Sequence, residues 1–304
     1  MRVAITGSRG LIGSALGRHL RSAGHEVVPV VRGRAGPGQV AWDPRAGTID
    51  AEGLRGVGAV VHLAGAGVGD HRWSAAHRAD VLSSRVAGTT LLAETLAGLS
   101  PAPAVLLSGS AVGYYGSRGD EELTEASAPG SGFLADVCAR WEAATAPAAD
   151  AGVRVVHLRT GIVLSAAGGA LAKQLLPFRF GLGARLGSGR HQLSWITRRD
   201  HVAALSFLLT QGELAGPVNV TSPAPVANAE FTAALGRALH RSARLVVPAA
   251  VLRLVAGRQM TEEFLLASQR ARPERLLGAG FTFADPGIGA GLATALADQD
   301  LVPG

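Results

Sequence analysis

Lysine is almost absent from this chain of 304 residues. Of 29 basic side chains only Lys173 is lysine, and the remaining 28 are arginine. Tyrosine occurs twice, at Tyr114 and Tyr115, and aromatic residues make up 5% of the chain. A single cysteine, Cys138, excludes a disulfide scaffold. No run of about 18 uninterrupted apolar residues occurs, which argues against a helical membrane span. No run of five or more cations accompanies the net charge of +6. Scattered arginines read as a solvated surface, so neither nucleic acid nor membrane is expected as a partner. The start, Met1-Arg2, leads into only a few apolar residues before Thr6-Gly7, so a cytoplasmic setting is expected.

What is present is an apolar fraction of 47% and 41 glycines, too much burial potential for a disordered chain. Short apolar runs alternate with stretches of helical spacing. Val3-Ala4-Ile5 precedes Leu11, Ile12, Ala15, Leu16 and Leu20; Val27–Val31 and Val40–Trp42 follow; Ala59–Leu63 precedes a long amphipathic stretch from Ser74 to Leu96. Ala104–Leu107, a helix from Leu134 to Ala149, Val153–Leu158 and Pro217–Val220 continue the pattern. Near-continuous apolar strands separated by helices predict an α/β fold, a Rossmann doubly wound parallel sheet covered on both faces. Residues 1–164 are expected to form this domain, with the chain returning to it around 196–221. Residues 165–304 are expected to form a smaller C-terminal α/β lobe serving as substrate or lid element. A ligand cleft is expected between the two, at the carboxyl ends of the strands.

Thr6-Gly7-Ser8-Arg9-Gly10-Leu11-Ile12-Gly13 places glycines at Gly-x-x-Gly-x-x-Gly between the first strand and the first helix. Gly7 allows a tight turn, Gly10 lets backbone approach a pyrophosphate, and Gly13 lets the helix pack on the strand. The N-terminus of the helix then offers N–H groups and a positive dipole end to phosphate. A site for NAD usually ends its second strand in a carboxylate that binds the ribose hydroxyls. Here Val31-Arg32-Gly33-Arg34 stands in that position and Arg9 lies in the loop itself. Guanidinium groups without a carboxylate favour a 2′-phosphate and hence NADP, with Arg32, directly after the strand, as the leading ligand. A solvated turn is the other reading of Arg32 and Arg34.

The sequence resembles the extended short-chain dehydrogenase/reductase superfamily. Within it, the chain is similar to an atypical branch, the epimerase-family proteins that end in a domain of unknown function, also labelled nucleoside-diphosphate-sugar epimerases or cell-division-inhibitor-like proteins. The likeness rests on Thr6–Gly13, on Val61-His62-Leu63-Ala64-Gly65-Ala66-Gly67, on Arg72-Trp73 followed by Ser84-Arg85, and on Ser108–Gly116. It continues through Cys138–Glu142, Arg159–Leu164, Gly187–Arg190 with Ser194-Trp195-Ile196, Gly216–Pro223, Pro273–Leu276 and Gly280–Phe283. The resemblance implies that Leu63, Ala64 and Gly65 lie along the cofactor and that Thr160-Gly161 faces its nicotinamide end. It also implies that Arg85 reaches inward from the long helix, the alternative being a surface cation.

The superfamily's usual proton relay is a Tyr-x-x-x-Lys pair assisted by a serine, in which a cation brings the phenol toward neutrality. Counting back from Glu142 puts Cys138 at the lysine position and Leu134 at the tyrosine position. No register shift rescues the motif, because the tyrosines are at 114 and 115 and the lysine is at 173. Ser110 matches the superfamily's serine. It is expected to orient a substrate carbonyl or hydroxyl while Tyr114 or Tyr115 donates the proton; the other reading has this loop merely shaping the cleft. Trp195 is expected to line a substrate pocket or to serve interlobe packing. His62, inside an apolar strand, reads as a satisfied core residue, and no histidine shows metal-ligand spacing. The leading reading is thus an NADP-dependent oxidoreductase or epimerase acting on a small hydroxy or carbonyl compound. The rivals are a catalytically lapsed NADP(H)-binding regulator or scaffold and an NAD-dependent nucleotide-sugar epimerase. A homodimer is suggested only by analogy with the superfamily.

Overall fold

The computed structural model describes residues 1–298. Its centre is an eight-stranded sheet: β1 (Arg2–Thr6), β2 (Glu26–Arg32), β3 (Val40–Asp43), β4 (Thr48–Ile49), β5 (Ala59–His62), β6 (Val105–Ala111), β7 (Arg154–Thr160) and β8 (Gly216–Val220). The spatial order is β8-β7-β6-β5-β1-β2-β3-β4. All pairings from β6 to β3 are parallel, while β3 and β4 are antiparallel. Strand order reverses between β1 and β5, where Thr6 stands level with His62. A doubly wound sheet opens a crevice for ligands at such a reversal.

Residue types explain the layering. Val3, Ala4, Ile5 and Val60, Val61 are wholly buried, as expected of strands covered on both faces. Helix α1 (Leu11–Ser22) buries Gly13, Leu16, Gly17 and Leu20, one stripe at helical spacing. Each leucine so buried contributes about 1.5–3 kcal/mol. Helix α2 (Ala75–Ala97) is capped by Ser74, whose hydroxyl accepts from the His77 N–H at 3.1 Å. The single helix expected from Leu134 to Ala149 is instead two, α3 (Phe133–Ala143) and a short one at Ala146–Asp150. Pro147 explains the break, because proline lacks the N–H that a continuous helix needs and is tolerated only in a first turn.

The chain divides into two compact units. One comprises Met1–Ser110, Val137–Leu158 and Val202–Val218; the other comprises Ala111–Asp136, Arg159–His201 and the chain from Asn219 onward. The second unit has its own apolar core. Leu171, Leu175 and Phe178 of α4 (Gly169–Arg179), Phe231 and Leu235 of α5 (Asn228–Ala238), and Leu292 of a C-terminal helix (Ile288–Ala297) surround Trp195. Between α5 and that C-terminal helix lies α6 (Ala249–Ala256), which has no buried residue. No helix among the described residues is long and apolar enough to cross a membrane.

Candidate active site

The glycine loop closes β1 onto α1 through glycine-specific geometry. Gly7 has φ +65°, and a Cβ there would lie 3.0 Å from the Leu63 carbonyl, so this loop and the segment after β5 press backbone on backbone. A Cβ at Gly13 would run into the Gly7 carbonyl oxygen, so any side chain at 13 would push α1 off the loop. Gly10 is the N-cap, and the first turn of α1 has neither a capping side chain nor an acidic residue. Ser8, Leu11 and Ile12 are half-buried, and Arg9 is exposed beside them. Arg32 ends β2 in the open, followed by Gly33 at φ +80° and exposed Arg34. These features suit a dinucleotide: uncapped N–H groups for a pyrophosphate, and cations but no carboxylate at the end of β2.

One hydroxyl organises the neighbouring segment. Thr6 Oγ1 accepts from the N–H groups of Leu63 at 3.0 Å and Ala64 at 3.2 Å, which occupies both lone pairs. Its own proton therefore goes to His62 Nδ1, 2.7 Å away, and His62 Nε2–H donates to Thr89 Oγ1 at 3.0 Å. The imidazole is fixed neutral in one tautomer. Burial, assisted by the Arg85 charge, pulls its pKa down to about 4. His62 is thus the satisfied core residue that its apolar strand suggested, and its neighbours hold Leu63-Ala64-Gly65 in place.

Arg85 extends from α2 to the same segment. Its Nη1 donates to the Ala66 carbonyl at 2.9 Å and the Val81 carbonyl at 3.1 Å. The guanidinium lies 4.9 Å from the centre of the Trp141 ring. Gly65, whose Cβ would meet the Arg85 guanidinium at 3.3 Å, leaves room for this approach.

Ser110 stands near the end of β6, buried, and its Oγ donates to Glu142 Oε1 at 2.7 Å. Trp141 packs against Gly109, where a Cβ would come within 2.6 Å of the ring, so the indole fixes the backbone that carries Ser110. Beyond Glu142, Thr145 donates to the Glu142 carbonyl at 2.7 Å and accepts from His157 Nε2 at 2.9 Å, and His157 Nδ1 lies 3.8 Å from Glu142 Oε2. Among the described residues, the buried Trp141 Nε1 and Ser108 Oγ have no hydrogen-bond partner. Sequence reasoning used Glu142 only as a landmark for counting. The available signal was a carboxylate in a helix whose other inward positions, Val137, Cys138 and Trp141, are apolar.

The remaining candidates lie in the second unit. Tyr115 is fully buried; its hydroxyl donates to Asn219 Oδ1 at 2.7 Å and accepts from Arg159 Nη1 at 3.1 Å. Burial pushes its pKa up to about 12, outweighing the lowering effect of Arg159. A phenol so enclosed anchors structure and is unsuited to proton donation. Trp195 is likewise fully buried, donates from Nε1 to the Ala224 carbonyl at 2.9 Å, and packs where a Cβ at Gly291 would run into its ring. It is a core residue of its unit. Tyr114 is half-buried under Arg159, whose guanidinium carbon sits 3.4 Å from the ring centre. Thr160 Oγ1 lies 3.2 Å from His201 Nε2, and Gly161 is required by close packing, since a Cβ would meet the Ser194 carbonyl at 2.6 Å. Glu125, also not anticipated, accepts from the Asn219 and Arg275 N–H groups, and burial raises its pKa.

Comparison with known proteins converges on one family. Residues 3–221 match the model of the NAD dependent epimerase/dehydratase family, and residues 247–295 match a domain of unknown function, DUF1731. Epimerase family protein Mb2239 of Mycobacterium bovis is 47% identical over 294 residues, covering 96% of this chain and 97% of that protein. The crystal structure of human epimerase family protein SDR39U1 (isoform 2) with NADPH is similar at a TM-score of 0.89 and 36% identity, covering 99% of this chain and all of that one. The nucleoside-diphosphate sugar epimerase of Corynebacterium glutamicum is similar at a TM-score of 0.81 and 40% identity, covering 97% of this chain but 58% of that one. With the family model spanning most of the sequence, this chain belongs to the NAD dependent epimerase/dehydratase family, in the group whose C-terminal part is DUF1731.

Proposed function

We propose that the protein binds NADP(H) and works as an oxidoreductase or epimerase on a small hydroxy or carbonyl compound, with Ser110 and Glu142 standing in for the missing tyrosine and lysine. The observation that carries this reading is the 2.7 Å hydrogen bond from Ser110 to the buried Glu142 carboxylate near the end of β6. A serine whose proton is committed to a carboxylate has its lone pairs left to accept from a substrate hydroxyl. In the oxidative direction the substrate proton passes to Ser110 Oγ as the serine proton passes to Glu142; reduction reverses both transfers. Bound NADP supplies the hydride acceptor or donor. The chain's own residues hold it: the Gly7–Gly13 loop on the pyrophosphate, Arg32 and Arg9 on the 2′-phosphate, and Leu63-Ala64-Gly65 with Arg85 along the ribose and nicotinamide half. Thr160-Gly161 is proposed at the nicotinamide end and Tyr114 beside the substrate. The human relative crystallised with NADPH supports the choice of NADP over NAD.

A second reading, a cofactor-binding regulator that reports NADP(H) occupancy, is favoured by Leu134 and Cys138 in the positions of the usual pair and by the locked phenol of Tyr115. Thermal unfolding with NADPH and with NADH, followed by NADPH consumption on a panel of carbonyl compounds, separates the alternatives. Stabilisation by NADPH over NADH with turnover that Ser110→Ala abolishes is expected. Preference for NADH would overturn the cofactor assignment, and NADPH binding with no turnover across the panel would leave the regulator standing.

A further inference from the structure

The exposed apolar side chains of this protein are gathered rather than scattered. Eight of the eleven large apolar residues exposed among the described residues lie in two segments of the second unit, 176–182 and 245–255. Phe180 is 75% exposed and Leu254 79%, so these are outward-pointing side chains and not the edges of a core. The two segments form one surface. The strand Ala184–Leu186 pairs in parallel with Leu245–Val247, Leu245 N–H donates to the Gly183 carbonyl at 3.3 Å, and Arg241 Nε donates to the Arg179 carbonyl at 2.9 Å. Helix α6 continues the surface with Val251, Leu254 and Val255 all exposed.

The charge on this surface is predominantly positive. Residues 173–190 contain four basic side chains and no carboxylate, and residues 237–258 contain five and no carboxylate. All nine are exposed. Arg253 and Arg258 share an acidic neighbour, Glu262, at 3.4 and 3.3 Å. Exposed Leu, Val and Phe ringed by arginine is the composition that lies in a lipid headgroup layer, apolar tips in the acyl boundary and guanidinium groups on phosphate. A second copy is disfavoured, because two such faces would oppose cations within a Debye length of about 8 Å. A nucleic acid is disfavoured because the exposed set is aliphatic, with Phe180 its only ring for a base to stack on apart from Phe264 nearby.

We propose that this face docks on an anionic lipid bilayer, peripherally and without insertion of a spanning helix. The expectation of no membrane partner was drawn from the scatter of arginine along the sequence, whereas this surface is assembled only by folding. Sedimentation of the full chain, without cofactor, with vesicles of about one part phosphatidylserine to two parts phosphatidylcholine tests it. Binding is expected to fall about tenfold or more with pure phosphatidylcholine or with raised salt. Leu254→Asp and the pair Arg185→Glu and Arg244→Glu are each expected to weaken it at least severalfold while the thermal midpoint holds. Absence of binding at low salt, or undiminished binding by these variants, would overturn the proposal. So would reversible self-association that Leu254→Asp abolishes while no vesicles are bound, which would make a second copy the occupant. Retention on polyglutamate without retention on vesicles would likewise assign the face to an acidic protein.

Discussion

Ser110 and Tyr115 are five residues apart in sequence, yet the two units use them in opposite ways. Ser110 spends its proton on a buried carboxylate whose other oxygen faces His157. Tyr115 spends its hydroxyl on Asn219 and Arg159 within a closed network that also takes in Glu125. The first arrangement leaves acceptor capacity on a serine; the second consumes all that the phenol has. Their place directly beyond Ser110 made both tyrosines look chemical in the sequence. Burial shows that a scarce polar aromatic serves equally well as a core fastener.

The sharpest way to break this contrast is to remove a core residue from one unit and the hydrogen-bonded pair from the other. Trp195→Ala is expected to cost about 3–5 kcal/mol of stability, read by urea unfolding, because it empties the centre of a core. NADPH turnover per folded molecule is expected to be retained at permissive temperature, and its loss would restore Trp195 to a substrate role. Ser110→Ala and Glu142→Gln are expected to do the reverse, lowering kcat by about 10²-fold or more with a thermal midpoint shifted only slightly. Equal losses from the single and the double variant would mark the two as one relay.

Acid titration probes both units together. His62 and His201 are wholly buried and neutral, with pKa values pulled down to about 4 and about 3 by desolvation. Unfolded histidine takes up its proton near pH 6.5. Stability is therefore full above about pH 6.5 and falls as the pH drops toward these folded values, because the unfolded chain binds protons that the folded one refuses. His62 alone is worth about 3 kcal/mol over that span. Glu125 and Asp200, whose pKa values burial raises, act in the opposite sense and recover stability on acidification. Urea midpoints that stay level from pH 7 to pH 4.5 would contradict this balance, and His62→Gln should flatten the fall. The smallest effect expected is at Arg32. Arg32→Ala should weaken NADPH by about 1.5–3 kcal/mol relative to NADH, measured as competing thermal shifts.

The sheet and its glycine loop were legible because their signals are local. Val3-Ala4-Ile5 followed by Gly7, Gly10 and Gly13 encodes strand, turn and helix within a dozen residues, and Arg32 follows directly from the end of the second strand. The Ser110–Glu142 pair was not legible, since it joins residues on a strand and a helix 32 positions apart. Neither was the role of Thr6, whose hydroxyl acts on amides 57 and 58 residues away. Pro147 was visible in the sequence, and its effect on the helix after Ala143 is the kind of break that local reasoning can supply. The cationic apolar face escaped because periodicity along the chain says nothing about two loops that a short parallel pairing brings side by side.

The rarity of lysine turns out to have a practical side. Lys173, exposed on α4, lies within the arginine-rich face, and it is the chain's sole side-chain amine. An amine-directed fluorophore, used at a pH where the α-amino group of Met1 is blocked beforehand, would label one position only. That position is on the face proposed to meet lipid, so the protein comes with a built-in vantage point from which a change of polarity at that surface can be watched directly.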